Sequence, residues 1–184
     1  SIGFLVVMFA GYGFYANHAS GVLNNNTVSV FSWAHVLNVG GQVQALSADG
    51  REYELMRITA PNEEERARAA GLISQLTPKL NKAYEEYEKA IQEAPFPNEA
   101  DRTQKLARLE KLKQERKNYA EARQHATDLM DAGDQEGAVE LAFNEQADVY
   151  KRMTDILEED KADSVRLARA EMAHSEDVFS GVWM

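Results

Sequence analysis

Apolar and polar residues alternate along most of the chain with the period of an α-helix. Between Arg102 and Met130, apolar side chains recur every three or four positions, which places them along one face of a helix. They are Leu106, Leu109, Leu112, Tyr119, Ala126 and Met130. Residues that break helices are rare, since the chain has four prolines and eleven glycines among 184 residues. The pattern predicts an all-α protein built from long helices.

Short polar turns divide this helical pattern into four segments. Asn62 after the first turn and Asn98 after the second suit the N-cap position, where a side-chain oxygen accepts from a backbone amide. In the third turn, Gly133 suits the residue after a helix end and Asp134 suits the next N-cap. Short turns between long helices predict an antiparallel up-down-up-down four-helix bundle. We expect helices at about 19–59, 63–94, 99–131 and 135–178, the last unbroken because it contains no proline.

The first predicted helix carries two apolar lines. One line passes through Leu23, Val30, Ala34, Leu37, Gly41, Ala48, Leu55 and Ile58. The other passes through Phe31, Val39, Val43, Leu46 and Tyr53. A helix that is apolar on two sides has two neighbours to pack against. We therefore expect one line to face the bundle and the other to face the same helix of a second subunit in a homodimer.

Both ends of the chain are apolar. Residues 2–16 contain no charged side chain, but a helix that spans a membrane needs about 20 apolar residues. We interpret residues 1–18 as the end of a first transmembrane helix and 179–184 as the start of a second, with the bundle at 19–178 between them. A cleaved signal peptide, or a soluble bundle with apolar ends, is the alternative, although no basic segment precedes the apolar run.

Composition and charge exclude several classes of protein. The formal net charge of −10 argues against a nucleic-acid partner, which would require a basic face. Cysteine is absent, and a di-iron bundle would need two Glu-x-x-His motifs, whereas only Glu171 and His174 form one. We therefore expect no metal, no cofactor and no enzymatic activity.

Two arginines lie on the apolar stripe of the third predicted helix. Arg116 and Arg123 are one heptad apart with Tyr119 between them, and burying an unpaired charge is costly. They could pair with a neighbouring Glu115, Glu121 or Glu52 at the rim, or they could meet an anion inside. Counting residues from the turns places further polar groups at a similar height, so we expect a site for a small carboxylate, which guanidinium groups bind in a bidentate manner. The candidate ligand-binding residues are Arg51, Arg116, Tyr119, Arg123, Asn144 and Tyr150.

The sequence around the third turn carries a family resemblance. It combines Tyr119 and its flanking alanines with the turn Leu129-Met130-Asp131-Ala132-Gly133-Asp134 and the following Ala138-Val139-Glu140-Leu141. Together with the acidic, alanine-rich final helix and the apolar ends, this resembles the four-helix-bundle sensor domain of bacterial methyl-accepting chemotaxis proteins. The resemblance covers nearly the whole chain and rests on layout rather than on one invariant motif.

The resemblance implies a homodimeric periplasmic sensor domain held in the bacterial inner membrane by two flanking spans. Its ligand would be a small anion such as a dicarboxylate, a tricarboxylate or an amino acid. Binding would shift the last helix along its axis and so pass a signal across the membrane. In the family, residues of the first and last helices contact the ligand. The comparable positions here are Arg51 and Arg57 on the first helix, and Asn144 and Thr154 on the last. The alternative is a bundle without a small ligand, which serves dimerisation or senses a partner protein in a receptor such as a histidine kinase.

Overall fold

The computed structural model of the protein is all-helical, which confirms the predicted fold class. It describes the backbone of residues 2–182 and the side chains of residues 29–173. Within that backbone there is no β-strand, and the helices pack side by side as a bundle. The helices are α1 Ile2–Thr59, α2 Glu63–Glu93, α3 Glu99–Asp131, α4 Gln135–Phe143 and α5 Glu145–Val182.

The predicted N-caps are confirmed. The side chain of Asn62 accepts from the backbone amide of Glu65 at 2.9 Å. Asn98 accepts from Asp101 and Asp134 from Gly137 in the same way, again at 2.9 Å. Each cap satisfies an amide that has no partner in the first turn of its helix.

Gly133 ends α3 as predicted. It has a positive φ of 85°, a conformation that glycine adopts without strain. The amide of Asp134 donates to the carbonyl of Leu129 at 2.9 Å, and that of Gly133 to Met130 at 3.0 Å. This pair of bonds is the Schellman motif, which satisfies the last carbonyls of a helix.

The final helix is interrupted at Asn144, so the prediction of an unbroken helix over 135–178 is wrong at this residue. Asn144 has φ −107° and ψ −88°, outside the helical region. The cause lies in another helix, because the guanidinium of Arg51 on α1 donates to the carbonyl of Ala142. In a regular helix that carbonyl would accept from the amide of Gln146. Insertion of a side chain into the backbone ladder is a known cause of such distortions.

The main core lies among α1, α2, α3 and α5. On α1 the buried face changes character along its length, from Val36, Val39 and Val43 to Ser47, Arg51 and Glu54, and ends at Ile58. Tyr87 and Ile91 from α2, Leu112 from α3 and Leu157 from α5 complete the apolar part. A smaller core of Ile58, Ala126, Ala138 and Ala142 lies beside the third turn. The polar section of α1 therefore lies between two apolar cores.

The two apolar lines predicted on α1 have different outcomes. Val39 and Val43 of the second line are buried, but Phe31, at its start, is 70% exposed. Ala34, Gly41 and Ala48 of the first line are exposed, although Ile58 at its end is buried. The bundle of one chain therefore leaves a line of mostly small residues on α1 uncovered.

A buried ion pair joins α3 to α5. Lys105 and Asp160 lie 2.9 Å apart, Nζ to Oδ2, with side chains 0% and 4% exposed. The hydroxyl of Tyr87 also donates to Asp160, and the Lys105 ammonium lies 5.6 Å from the centre of the Trp33 ring. One turn further along, Arg108 lies 2.8 Å from Asp163, which Arg166 also contacts. The two helices are therefore joined by two successive charge pairs, the first completely buried.

The side chains of both predicted membrane segments, 1–18 and 179–184, lie outside the described side chains. Within the described part of the chain, no helix has a stretch long and apolar enough to cross a membrane.

Candidate functional site

A cavity of about 120 Å³ lies between α1, α2, α3 and α5. Its polar lining includes Ser47 and Glu54 from α1 and Asn81 and Tyr84 from α2. Two guanidiniums and a phenol from α3, a phenol from α5 and Thr77 of α2 complete the polar part, while aliphatic side chains of α2 and Met153 of α5 form the apolar wall. The cavity coincides with the section where the buried face of α1 turns polar.

Four of the six predicted site residues line this cavity: Arg116, Tyr119, Arg123 and Tyr150. The rings of Tyr119 and Tyr150 lie 6.1 Å apart, centre to centre. The structure therefore brings the predicted α3 pair together with the predicted tyrosine of the last helix.

The structure does not place Arg51 or Asn144 in the lining of the cavity. Arg51 is buried and donates to the side-chain oxygen of Gln146 and to the carbonyl of Ala142. Asn144 is exposed and marks the junction of α4 and α5. These two residues belong to the junction, where Arg51 compensates a carbonyl that lost its helical partner.

The arginine and threonine that the resemblance placed beside them are also engaged. Arg57 donates to the hydroxyl of Thr127 on α3. The hydroxyl of Thr154 donates to carbonyls of its own helix, those of Tyr150 and Lys151. Neither residue lines the cavity.

Glu54 is a buried carboxylate that the sequence analysis missed. It is 4% exposed. It accepts from the Tyr119 hydroxyl at 2.6 Å, from the Gln146 amide at 2.9 Å and from the Arg123 guanidinium at 3.3 Å. Three helices therefore meet at one carboxylate, and Gln146 joins it to Arg51 and the α4–α5 junction.

Burial dominates the protonation of this network. It raises the pKa of the Glu54 carboxyl, against the opposing effects of the Tyr119 hydrogen bond and of Arg123 and Arg51. Burial also raises the pKa of Tyr119, and the charge of Glu54 adds to that shift. The Tyr119 phenol therefore remains a hydrogen-bond donor at any physiological pH.

Arg116 has no carboxylate partner among the described side chains. Its guanidinium lies 4.2 Å from the centre of the Tyr84 ring and donates to the side-chain oxygen of Asn81. The alternative in which glutamates pair with the α3 arginines holds for Arg123, through Glu54, but among the described side chains none of Glu52, Glu115 and Glu121 pairs with either arginine. Glu115 pairs with Arg152 and Glu121 with Lys117. One positive charge thus faces the cavity without a counter-ion.

The hydroxyls of Ser47 and Tyr84 in the lining lie close to each other without the geometry of a regular hydrogen bond, and neither has another partner within the described part of the chain. Their residues are only 8% and 7% exposed. Burial raises the pKa of the Tyr84 phenol, against the effects of the nearby Ser47 hydroxyl and Arg116. Buried polar groups are almost always hydrogen-bonded in native proteins, so these two hydroxyls indicate space for a missing partner.

Sequence reasoning could have found the α1 part of the site. Ser47, Arg51 and Glu54 follow Val43 at steps of four, four and three residues, so they continue its buried face. The first apolar line of α1 passes one position beside this face for much of its length, for example at Ala48 and Leu55, and joins it at Ile58. Tyr84 gives a weaker signal, because it directly follows Ala83, which lies at helical spacing between Leu80 and Tyr87.

Metal chemistry finds no support among the described residues, where no three acidic or histidine side chains lie close enough to hold an ion. No protein family, no curated protein and no solved structure matches the chain.

Proposed function

We propose that the chain is the extracytoplasmic sensor domain of a transmembrane receptor, and that it binds a small carboxylate in the cavity at Arg116. The observation that carries the proposal is a guanidinium without a carboxylate partner among the described residues, beside two neighbouring buried hydroxyls of which at least one O–H is free to donate. This combination fits the recognition of an anion that accepts hydrogen bonds.

The charge balance of the cavity favours an anion. Arg123 pairs with Glu54 at 3.3 Å, so these two charges compensate each other. Arg116 then leaves one positive charge uncompensated in the lining. A partly desolvated charge of this kind is costly alone and is stabilised by a bound carboxylate.

The proposed arrangement of helices is up-down-up-down, with membrane spans at both ends. Contacts between distant residues support it. Glu54, late in α1, contacts Tyr119, late in α3, and Gln146, early in α5. At the other end of the bundle, Lys105, early in α3, contacts Asp160, later in α5. These contacts make α5 run opposite to α1 and to α3, as an up-down-up-down arrangement requires.

The proposed assembly is a homodimer through α1. The exposed line of Phe31, Ala34, Gly41 and Ala48 supports it, since small side chains allow two helices to approach closely. Signal transfer would follow from a difference in ligand affinity between two positions of α5. A coupling free energy of about 1–3 kcal/mol would be ordinary.

A thermal-shift screen of the full chain with carboxylic acids and amino acids tests the proposal. At a ligand concentration of about 100 times Kd, binding adds about 2.7 kcal/mol to the free energy of unfolding, which corresponds to about 5–10 °C at this chain length. Arg116→Gln should abolish the shift. Arg152→Gln removes an arginine outside the cavity and should preserve it. If no acid shifts the unfolding of a folded chain, the partner-sensing alternative gains support.

A further inference from the structure

We infer that the ligand is a short-chain monocarboxylate, an inference that rests on the proposed function and narrows it. The carboxylate would lie on Arg116, Ser47 and Tyr84, and the carbon tail would lie against Leu76, Leu80 and Met153. Propionate represents this class. The sequence had led us to expect a dicarboxylate, a tricarboxylate or an amino acid.

The charge of the cavity lining favours a ligand with a single negative charge. Only one guanidinium in the lining lacks a carboxylate partner among the described residues, because Arg123 already pairs with Glu54. A single negative charge neutralises the cavity. A second carboxylate would find no free cation there and would lie in the same cavity as the buried, ionisable Glu54, a like charge when ionised.

The volume of the cavity favours a small ligand. An enclosed cavity of about 150 Å³ holds a molecule of the size of benzene. The cavity here has about 120 Å³ and is partly open, so the part of a ligand that lies inside it has on the order of five non-hydrogen atoms. Propionate has that size, whereas citrate is more than twice as large.

The hydrogen-bond donors of the cavity lie where one carboxylate can accept from all of them. Arg116 is held by the Tyr84 ring beneath its guanidinium and by Asn81 at one of its nitrogens. The hydroxyls of Tyr84 and Ser47 lie close to each other in the same buried lining and have no further partner among the described side chains. A carboxylate has two oxygens that accept several hydrogen bonds, so one group can satisfy both hydroxyls and the guanidinium.

The apolar wall of the cavity favours an alkyl tail over a second polar group. Ile73, Leu76, Leu80 and Met153 line the same cavity, and none of them offers a strong donor or acceptor. An alkyl tail fits this wall. An ammonium group, as in an amino acid, would be desolvated against it and would add a positive charge beside Arg116.

Isothermal titration of the full chain with matched ligands tests the inference. Propionate and propionamide have nearly the same shape but differ in charge, and we expect propionamide to bind at least about tenfold more weakly. Arg116→Gln should weaken propionate by about tenfold or more. Tyr84→Phe, which keeps the ring under the guanidinium, should weaken it by several-fold.

A matched pair of glycine substitutions tests the size argument. Gly50 lines the cavity, and a methyl group there would lie 3.4 Å from Leu76. Gly71 is also helical, and a methyl group there meets nothing within 4 Å. We expect Gly50→Ala to weaken butyrate more than acetate, and Gly71→Ala to leave both affinities unchanged.

The outcomes separate the two levels of the argument. If succinate, malate or citrate binds in an Arg116-dependent manner and propionate does not, the inference fails while the proposed carboxylate sensor stands. If no acid binds a folded chain, or if propionamide binds as well as propionate, the proposed carboxylate site fails as well. Arg116-dependent binding of propionate, with succinate weaker, supports both.

Discussion

The Lys105–Asp160 pair allows a quantitative prediction about stability. Replacing Lys105 by Met keeps the aliphatic length but removes the ammonium. Asp160 would keep the hydrogen bond from Tyr87, yet its carboxylate, with a side chain 4% exposed, would have no counter-charge of its own. Removing one partner of a buried ion pair typically costs about 3–5 kcal/mol.

The chain contains its own control for this substitution. Arg108→Met removes the neighbouring cation on the same helix face, but Asp163 retains Arg166 at 2.8 Å. Arg108 is also more accessible, with a side chain 18% exposed. We therefore expect Arg108→Met to cost less, about 1–2 kcal/mol, because Asp163 keeps a charged hydrogen-bond partner.

A double substitution tests the cause of the loss. Burial lowers the pKa of Lys105 more strongly than Asp160 raises it, so the desolvation of the ammonium outweighs its attraction to the carboxylate. Removing both charges in Lys105→Met/Asp160→Asn should therefore restore stability to within about 1 kcal/mol of the original chain. The Asn side chain can still accept from Tyr87.

Urea unfolding of the full chain at neutral pH, followed by far-ultraviolet circular dichroism, gives these free energies. A loss of about 4 kcal/mol lowers the midpoint by about 2 M at a slope of about 2 kcal/mol/M. The thermal midpoint should fall by about 8–16 °C. The argument is refuted if Lys105→Met costs no more than Arg108→Met, or if the double variant is as unstable as the single one.

Two further predictions concern the core and its pH dependence. Gly71→Ala should stabilise the chain by about 1 kcal/mol through helix propensity, since its methyl meets nothing within 4 Å. Gly40→Ala should destabilise it, because its methyl would lie 3.0 Å from the buried ring of Tyr87. Thermal unfolding of both variants measures the difference in sign. The raised pKa of Tyr119 means that the unfolded chain releases this proton near pH 10 while the folded chain keeps it, so stability is full below about pH 10 and falls above it. Tyr119→Phe should make that alkaline decline shallower by up to about 1.4 kcal/mol per pH unit, and an unchanged slope in urea titrations across this range would contradict the assignment.

Local sequence was sufficient for the ends of the helices. Asn62, Asn98 and Asp134 cap through bonds to residues three positions away, and Gly133 ends α3 through bonds within one turn. Such contacts depend only on neighbours in sequence. They could therefore be predicted without knowledge of the packing.

The interruption at Asn144 could not be predicted in this way. It depends on Arg51, which lies 91 residues before Ala142 in the chain and enters the ladder from another helix. The same holds for the partners of Arg116. The stripe placed this arginine towards the interior, but only the packing of α2 against α3 shows that Asn81 and Tyr84, and no carboxylate among the described residues, receive it.

The interruption at Asn144 also changes the mechanics of the bundle. A helix transmits an axial movement as a rigid body only where its backbone hydrogen bonds are continuous. Here that continuous part is α5 alone, which has 38 residues and is about 57 Å long. The short α4 above it is a separate link, joined to it through one non-helical residue. Near the N-terminal end of α5, Gln146 is hydrogen-bonded to both Arg51 and Glu54. Glu54 also accepts from Tyr119 in the cavity wall. If α5 moves as proposed, the movement begins at its N-terminal end, directly beside the cavity, and does not require the third turn to move.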